Sequence, residues 1–329
     1  MKNKLYTRNE VIDFIRAGRV MLLSGSQQVL SNLPQGKWIS GTAPYFMDGV
    51  GKVTDNLIYV DDLTDYAADV RIEALDETNI HQIATHGFDN GFSVLILPID
   101  SPVYFSFANN SLQYDRLFDN PIVGYVACCR LEDYGKVQPS TGIGTTGALA
   151  TNKAAVMHVR LPLGYTARAE IMNFDTIDFG TPALKFPKTD FVQSECLIDG
   201  KPGNIAHYLE SVKQRIGRYP QLITDMNGAL VNRDTKRVDL DKGEAAFFSP
   251  AYAGDEYRIV KPNADYQKAF NDTLAAKREH IAVCFSCTSY FMFGEFEGKY
   301  IGVNGVYAFG EIAYQLLNKT IVTLEIDKA

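Results

Sequence analysis

Residues 280–326 constrain this chain more than any other stretch. They open on the apolar run IAVCFSC (281–287), pass through an aromatic segment to Phe293 and a charged turn at 295–299, and close on YIGVNGVYAFGEIAYQLLNKTIVTLEI. The first run and the last, 320–326, are dense in β-branched and aromatic residues and too short for helices of that apolarity, so both read as buried strands. Between them Gly302, Gly305 and Gly310 mark points where the backbone turns sharply or is approached closely. Glu311 follows the last of these at once. Burying its carboxylate is costly unless donors meet it, so the segment is either a pocket wall or an exposed loop.

Upstream, Thr7-Arg8-Asn9-Glu10 forms a capping box ahead of Val11, Phe14 and Ile15, with Gly18 as the stop of a first helix. Strands are expected at 20–24, 37–40, 56–60, 70–74 and 92–99. The last of these is apolar throughout and so belongs at the centre of a sheet. Asp76 caps a helix that ends at Gly87, Pro102 opens one closed by Pro121, and IVGYVACC is a further buried strand, so strand, helix and strand imply a crossover. Residues 136–151 read as a long loop, 156–160, 167–173 and 191–198 as antiparallel strands, and 264–279 as a helix. A helix through Ile205, Tyr208, Leu209 and Val212 ends at Gly217, and short strands lie near Leu222, Val238, Ala246 and Tyr257.

The pattern gives an α/β (mixed α+β) fold of two related domains, 1–194 and 195–329, each with mixed sheets and flanking helices. KWISGTAPYF and KYIGVNGVYAF share a Lys-aromatic-Ile start and suggest a diverged duplication of two halves.

VNGVYAFGEI followed by NKTIVTLEI resembles the closing signature of FIST-domain proteins. So do the Ser286-Cys287 pair and the segment LIDGKPGNIAHYL, and the likeness is strongest over 195–326. WISGTAPYFM (38–47) corresponds to that family's N-terminal small-residue segment. The resemblance implies FIST-N-like and FIST-C-like sensory domains that bind small ligands such as amino acids.

Composition narrows the partners. A net charge of -7 without Lys/Arg runs argues against nucleic acid. No apolar run approaches the roughly 20 residues of a membrane span. Five cysteines, two of them adjacent, fit a reducing compartment, and the expected location is the cytoplasm.

Several motifs have ordinary readings. Gly142-x-Gly144-x-x-Gly147 matches a dinucleotide fingerprint, but a polar stretch with Pro139 separates it from the preceding strand, and a loop is favoured. Cys284-x-x-Cys287 has half the ligands of a zinc site and no second half. Asp239-x-Asp241-x-Gly243 departs from a calcium loop, and Asp61, Asp62 and Asp65 read as an acidic surface loop. No cofactor and no metal are expected.

The expected function is a cytoplasmic small-molecule-binding sensory module for an amino acid or small organic acid, read by a separate signalling protein. Its site residues are Ser40, Gly41 and Thr42 on one side and Cys287, Asn304, Tyr307, Gly310 and Glu311 on the other. Glu311 would hold an ammonium group. The alternative is a cysteine-dependent hydrolase or acyl-transfer enzyme built on Cys287, which needs a base beside the thiol.

Overall fold

The computed structural model describes residues 3–226, 228–274, 277 and 279–328. The fold is mixed α+β, with several mixed sheets and flanking helices. It comprises two compact units, one formed by Met1–Ile171, Asp265–Gln315 and Ile321–Ala329, the other by Met172–Ala264 and Leu316–Thr320. The boundary expected between 194 and 195 falls inside the second unit, where the strand expected over 191–198 is broken into Asp190–Gln193 and Glu195–Ile198. Both ends of the sequence build the first unit through pairings such as Tyr45 with Tyr307, which leave no trace in local composition.

Three times in the first unit the chain makes the same excursion. A strand is followed by a helix, then by a second strand parallel to the first, then by an outlying segment, and finally by a strand that returns antiparallel to the first. The three strands are Val20–Gly25, Lys37–Thr42 and Ile58–Asp62 in the first sheet. They are Gly91–Pro98, Ile122–Ala127 and Ala154–Arg160 in the second. In the third they are Ile281–Cys287, Gly305–Ala308 and Ile321–Lys328. The helices Gln27–Leu30, Pro102–Asn110 and Thr288–Phe293 lie in the three crossovers. A parallel pair requires such a crossover, since a tight hairpin can only join antiparallel strands.

The outlying segment changes sheet each time, and in rotation. Tyr45–Asp48 and Val50–Val53 join the third sheet, Thr141–Ile143 and Ala148–Ala150 join the first, and Glu311–Ala313 joins the second. Each sheet is therefore completed by a neighbour's chain. The duplication suggested by KWISGTAPYF and KYIGVNGVYAF is replaced by three copies, all within one unit. The two segments are also out of register, since Lys37 opens its strand whereas Lys299 precedes Gly305–Ala308.

Local signals place the layers. The capping box is made, with the Thr7 amide donating to Glu10 Oε2 at 2.8 Å, and starts the helix Arg8–Arg16. Its Val11 and Ile15 pack on Met21, Leu23, Leu30, Trp38 and Val60, the outer face of the first sheet. Trp38 is fully buried with its Nε1 donating to the Pro34 carbonyl at 2.8 Å; truncation to Ala would cost about 3–5 kcal/mol. The expected loop at 136–151 contains the hairpin of the first sheet instead. Its glycines serve close packing: a Cβ on Gly144 would stand 2.3 Å from the Gly36 carbonyl oxygen. The helix expected over 102–121 ends at Asn110, and that expected over 264–279 is Tyr266–Leu274, with 275, 276 and 278 lying outside the described residues.

The second unit is built on antiparallel pairs. Its larger sheet runs Lys201–Asn204, Glu195–Ile198, Leu184–Lys185, Glu256–Lys261, Leu222–Met226, Ala229–Arg233. A smaller one runs Asp190–Gln193, Glu244–Ala251, Thr235–Asp239. The helix Ile205–Ile216 is capped by Asn204 and ended by left-handed Gly217, and it buries Ile205, Leu209 and Val212 against Leu184, Phe247 and Tyr257. Lys319 forms a buried 2.8 Å ion pair with Asp175.

Candidate functional site at the ends of the parallel strands

The two stretches singled out in the sequence adjoin each other. Tyr45–Asp48 pairs antiparallel with Gly305–Ala308, and both stretches also bond to the strand Ile122–Ala127 and the residue after it. The Cys128 amide donates to the Thr42 carbonyl at 2.7 Å and the Val126 amide to the Gly310 carbonyl at 2.9 Å. Glu311 lies in a strand, not in a loop, directly across from Tyr125.

Alternation along the strands sorts the expected residues. Ser40 shares its face with Trp38 and is directed to the outer core. Gly41 faces the interior, where an added Cβ would stand 2.5 Å from Ile96 Cγ2 and 2.7 Å from the Tyr125 hydroxyl. Tyr307 packs against Phe291 and Phe296, with ring centroids 5.3 and 6.1 Å away. Cys287 is buried at the end of its strand and precedes the helix Thr288–Phe293. Asn304 lies at the other end of Gly305–Ala308; its Oδ1 accepts from the Gly49 amide and its Nδ2 donates to the Asn3 carbonyl, each at 3.0 Å.

The interior face holds a polar group of side chains among Ile96, Phe46 and Phe285. Tyr125 donates to the Gly41 carbonyl at 3.1 Å and lies 2.7 Å from Ser24 Oγ, so the serine is the donor in that second bond. Burial pushes the Tyr125 and Tyr59 hydroxyls well above the ordinary tyrosine range. Asp61 is fully buried on this face, contrary to its reading as part of a surface loop, because Ile58–Asp62 is a central strand between Lys4–Tyr6 and Val20–Gly25. Burial alone raises its carboxyl well above the usual carboxylate range.

A cavity of about 110 Å³ opens where the first and second sheets end. Its walls include Ser26 after Val20–Gly25, Thr42 at the end of Lys37–Thr42, and Cys128, Cys129 and Arg130 after Ile122–Ala127, with Asp55 and Asp133 at the rim. Arg130 grips one oxygen of Asp55 through Nε at 2.9 Å and Nη2 at 2.5 Å, and both side chains are partly exposed. Thr42 was expected here. Arg130, Asp55 and Asp133 were not, although the charged run following an apolar strand was the available signal.

The thiols and histidines are dispersed. Burial pushes Cys129 up to about 11 and raises Cys128 and Cys284 well above the ordinary thiol range, which disfavours thiolate. His86 bonds Glu73 at 2.9 Å, His158 bonds Ser93 at 2.7 Å, and His280 bonds Asp327 at 2.6 Å. His280 stands just before the strand that ends at Cys287, about 20 Å away at strand rise. Among the described residues no group of three or more His, Cys, Asp or Glu is placed to hold a metal ion.

Fold and site define a mixed α+β protein in which three interlaced sheets enclose a polar interior and leave a small cavity at their strand ends. No helix among the described residues is long and apolar enough to cross a membrane. The chain belongs to the family of unknown function DUF6976, whose model matches residues 6–327. No curated protein matches it.

Proposed function

We propose that this protein is a cytoplasmic small-molecule-binding module of the FIST-like sensory kind, whose ligand is an amino acid or small organic acid. The observation that carries the reading is the position of the cavity. Open α/β sheets receive ligands beyond the carboxyl ends of parallel strands, and this cavity is lined by the residues that follow both strands of one such pair, Val20–Gly25 and Lys37–Thr42, and by those that follow Ile122–Ala127 of a second. Its volume admits several water-sized groups, which suits a ligand of few heavy atoms. Arg130 offers a guanidinium to a carboxylate, Asp55 and Asp133 offer oxygens to an ammonium, and Ala43, Pro44 and Pro139 supply apolar wall. A separate signalling protein reads the ligand-dependent shift between conformations.

Thermal-shift screening of amino acids and small organic acids tests this. A ligand at about 100 times its Kd adds about 2.7 kcal/mol to the wild-type chain. Arg130→Gln is expected to lose most of that gain, and hits that stabilise the variant as much as the wild type would remove the site from this cavity.

A further inference from the structure

The interior of the first unit contains a carboxyl group that its surroundings do not balance. Asp61 is 1% exposed, and both of its oxygens are enclosed without a hydrogen-bond donor among the described residues. Across the sheet it faces Leu22, while its neighbour on the same face, Tyr59, faces Ser24. The Tyr59 hydroxyl is likewise enclosed without a partner.

The titratable groups around it are uncharged or acidic. Tyr59 on its own strand, Tyr125 on Ile122–Ala127 and Cys284 on Ile281–Cys287 all feel its charge. Beyond them, Glu311 acts on Cys284, and Asp48 and Tyr307 act on Tyr59. The cations of the adjoining segments are engaged elsewhere. Lys4, which pairs with Val60 on the outer face, lies over the Tyr6 ring, and Arg19 holds Asp62. An ionised carboxylate in this place would have neither counter-ion nor donor, whereas the neutral acid carries only the smaller penalty of a buried polar group.

We propose that Asp61 is carried as a neutral carboxylic acid and that its proton latches the three-sheet core, which is closed while the proton is present and loosens when rising pH removes it. The geometry gives that loosening somewhere to go. Tyr125, which lies within the field of Asp61, is bonded to Ser24 and to the Gly41 carbonyl, and the residue after Gly41 is Thr42 at the cavity. For packing alone an apolar side chain of similar volume would serve the position better.

The direction of the pH effect follows from linkage. The folded chain holds this proton more tightly than the unfolded chain, whose aspartates titrate near 3.9. The contribution of Asp61 to stability is therefore complete below that pH and is lost as pH rises toward the folded value, by at most about tenfold in the folding constant per pH unit.

Infrared difference spectra of the full chain against Asp61→Asn at neutral pH, with carbon-13 label in aspartate, read the protonation state directly. A carboxylic-acid C=O band is expected in the wild type and absent from the variant. The urea midpoint of the wild type is expected to fall with rising pH more steeply than that of the variant. If the variant does not fold, titration of the labelled band in the wild type alone decides the question. Absence of an acid band at neutral pH overturns the proposal, as do equal pH slopes in the two proteins. A carboxylate band accompanied by a midpoint that rises with added sodium or potassium would place a metal cation beside Asp61 and overturn it as well.

Discussion

Asp175 in the second unit and Asp61 in the first are both shut away from water, yet only Asp175 is provided with partners. Its Oδ2 accepts from Lys319 Nζ at 2.8 Å and Asn232 Nδ2 at 3.0 Å, and its Oδ1 accepts from the Asn263 amide at 3.1 Å. Lys319 donates in turn to Gln221 Oε1 at 2.8 Å. Every element of that arrangement offsets the desolvation of the two charges, and it ties Leu316–Thr320 to the rest of its unit. The interior of the first unit offers Asp61 tyrosines, a thiol and apolar side chains instead. A buried acid with partners explains itself as structure. A buried acid without them is where proton-dependent behaviour is to be looked for.

The contrast can be broken most forcefully at Lys319. Lys319→Met strands Asp175 in the interior and is expected to destabilise the protein by about 3–5 kcal/mol in urea unfolding, and adding Asp175→Leu should recover most of the loss. Recovery would show that the penalty lies in the unpaired charge and not in the lost lysine stem.

His158 supplies an intermediate case, since its Nδ1 is bonded to Ser93 while its buried Nε2 has no partner among the described residues. Burial lowers it from 6.5 to about 4. Its contribution to stability is present above pH 6.5 and is lost as pH falls toward 4, up to about 3 kcal/mol at 1.36 kcal/mol per unit. Acid-limb denaturation curves of wild type and His158→Gln should separate over that window. The slope at Asp61 has the opposite sense, a loss as pH climbs.

The smallest effect is expected at Gly41. Gly41→Ala forces the new methyl against Ile96 and the Tyr125 hydroxyl, and a cost of about 1–3 kcal/mol is expected from overpacking. If it also steepens the pH dependence attributed to Asp61, the Tyr125 bonds connect the two positions. If the slope is unchanged, they are independent.

Much of the first unit was legible strand by strand. The runs at 92–99, 122–129 and 281–287 were recognisable because continuous apolarity marks strands covered on both faces, and Thr7 with Glu10 announced the first helix because the cap is a local bond. The candidate site was less accessible. Thr42 was identified, but its place beside Arg130 depends on two strands contributed by different repeats. Glu311 was noticed for its glycine, while the partner that fixes its position is Tyr125, far away in the sequence. Asp61 was misjudged because three acids in five residues look like surface, whereas alternation turns Asp61 inward and lets Asp62 reach Arg19.

The amino-acid order by itself determined the long apolar strands, which of them would be covered on both faces, and the caps at Thr7 and Gly217, since these follow from side chains within a few positions of one another. Only the tertiary structure decided that the strands form three copies of one excursion with exchanged segments, that Thr42 and Arg130 share a cavity, and that an acid is enclosed at the centre. Those outcomes depend on pairings between distant segments, which are set by the packing of the whole unit and not by any local pattern.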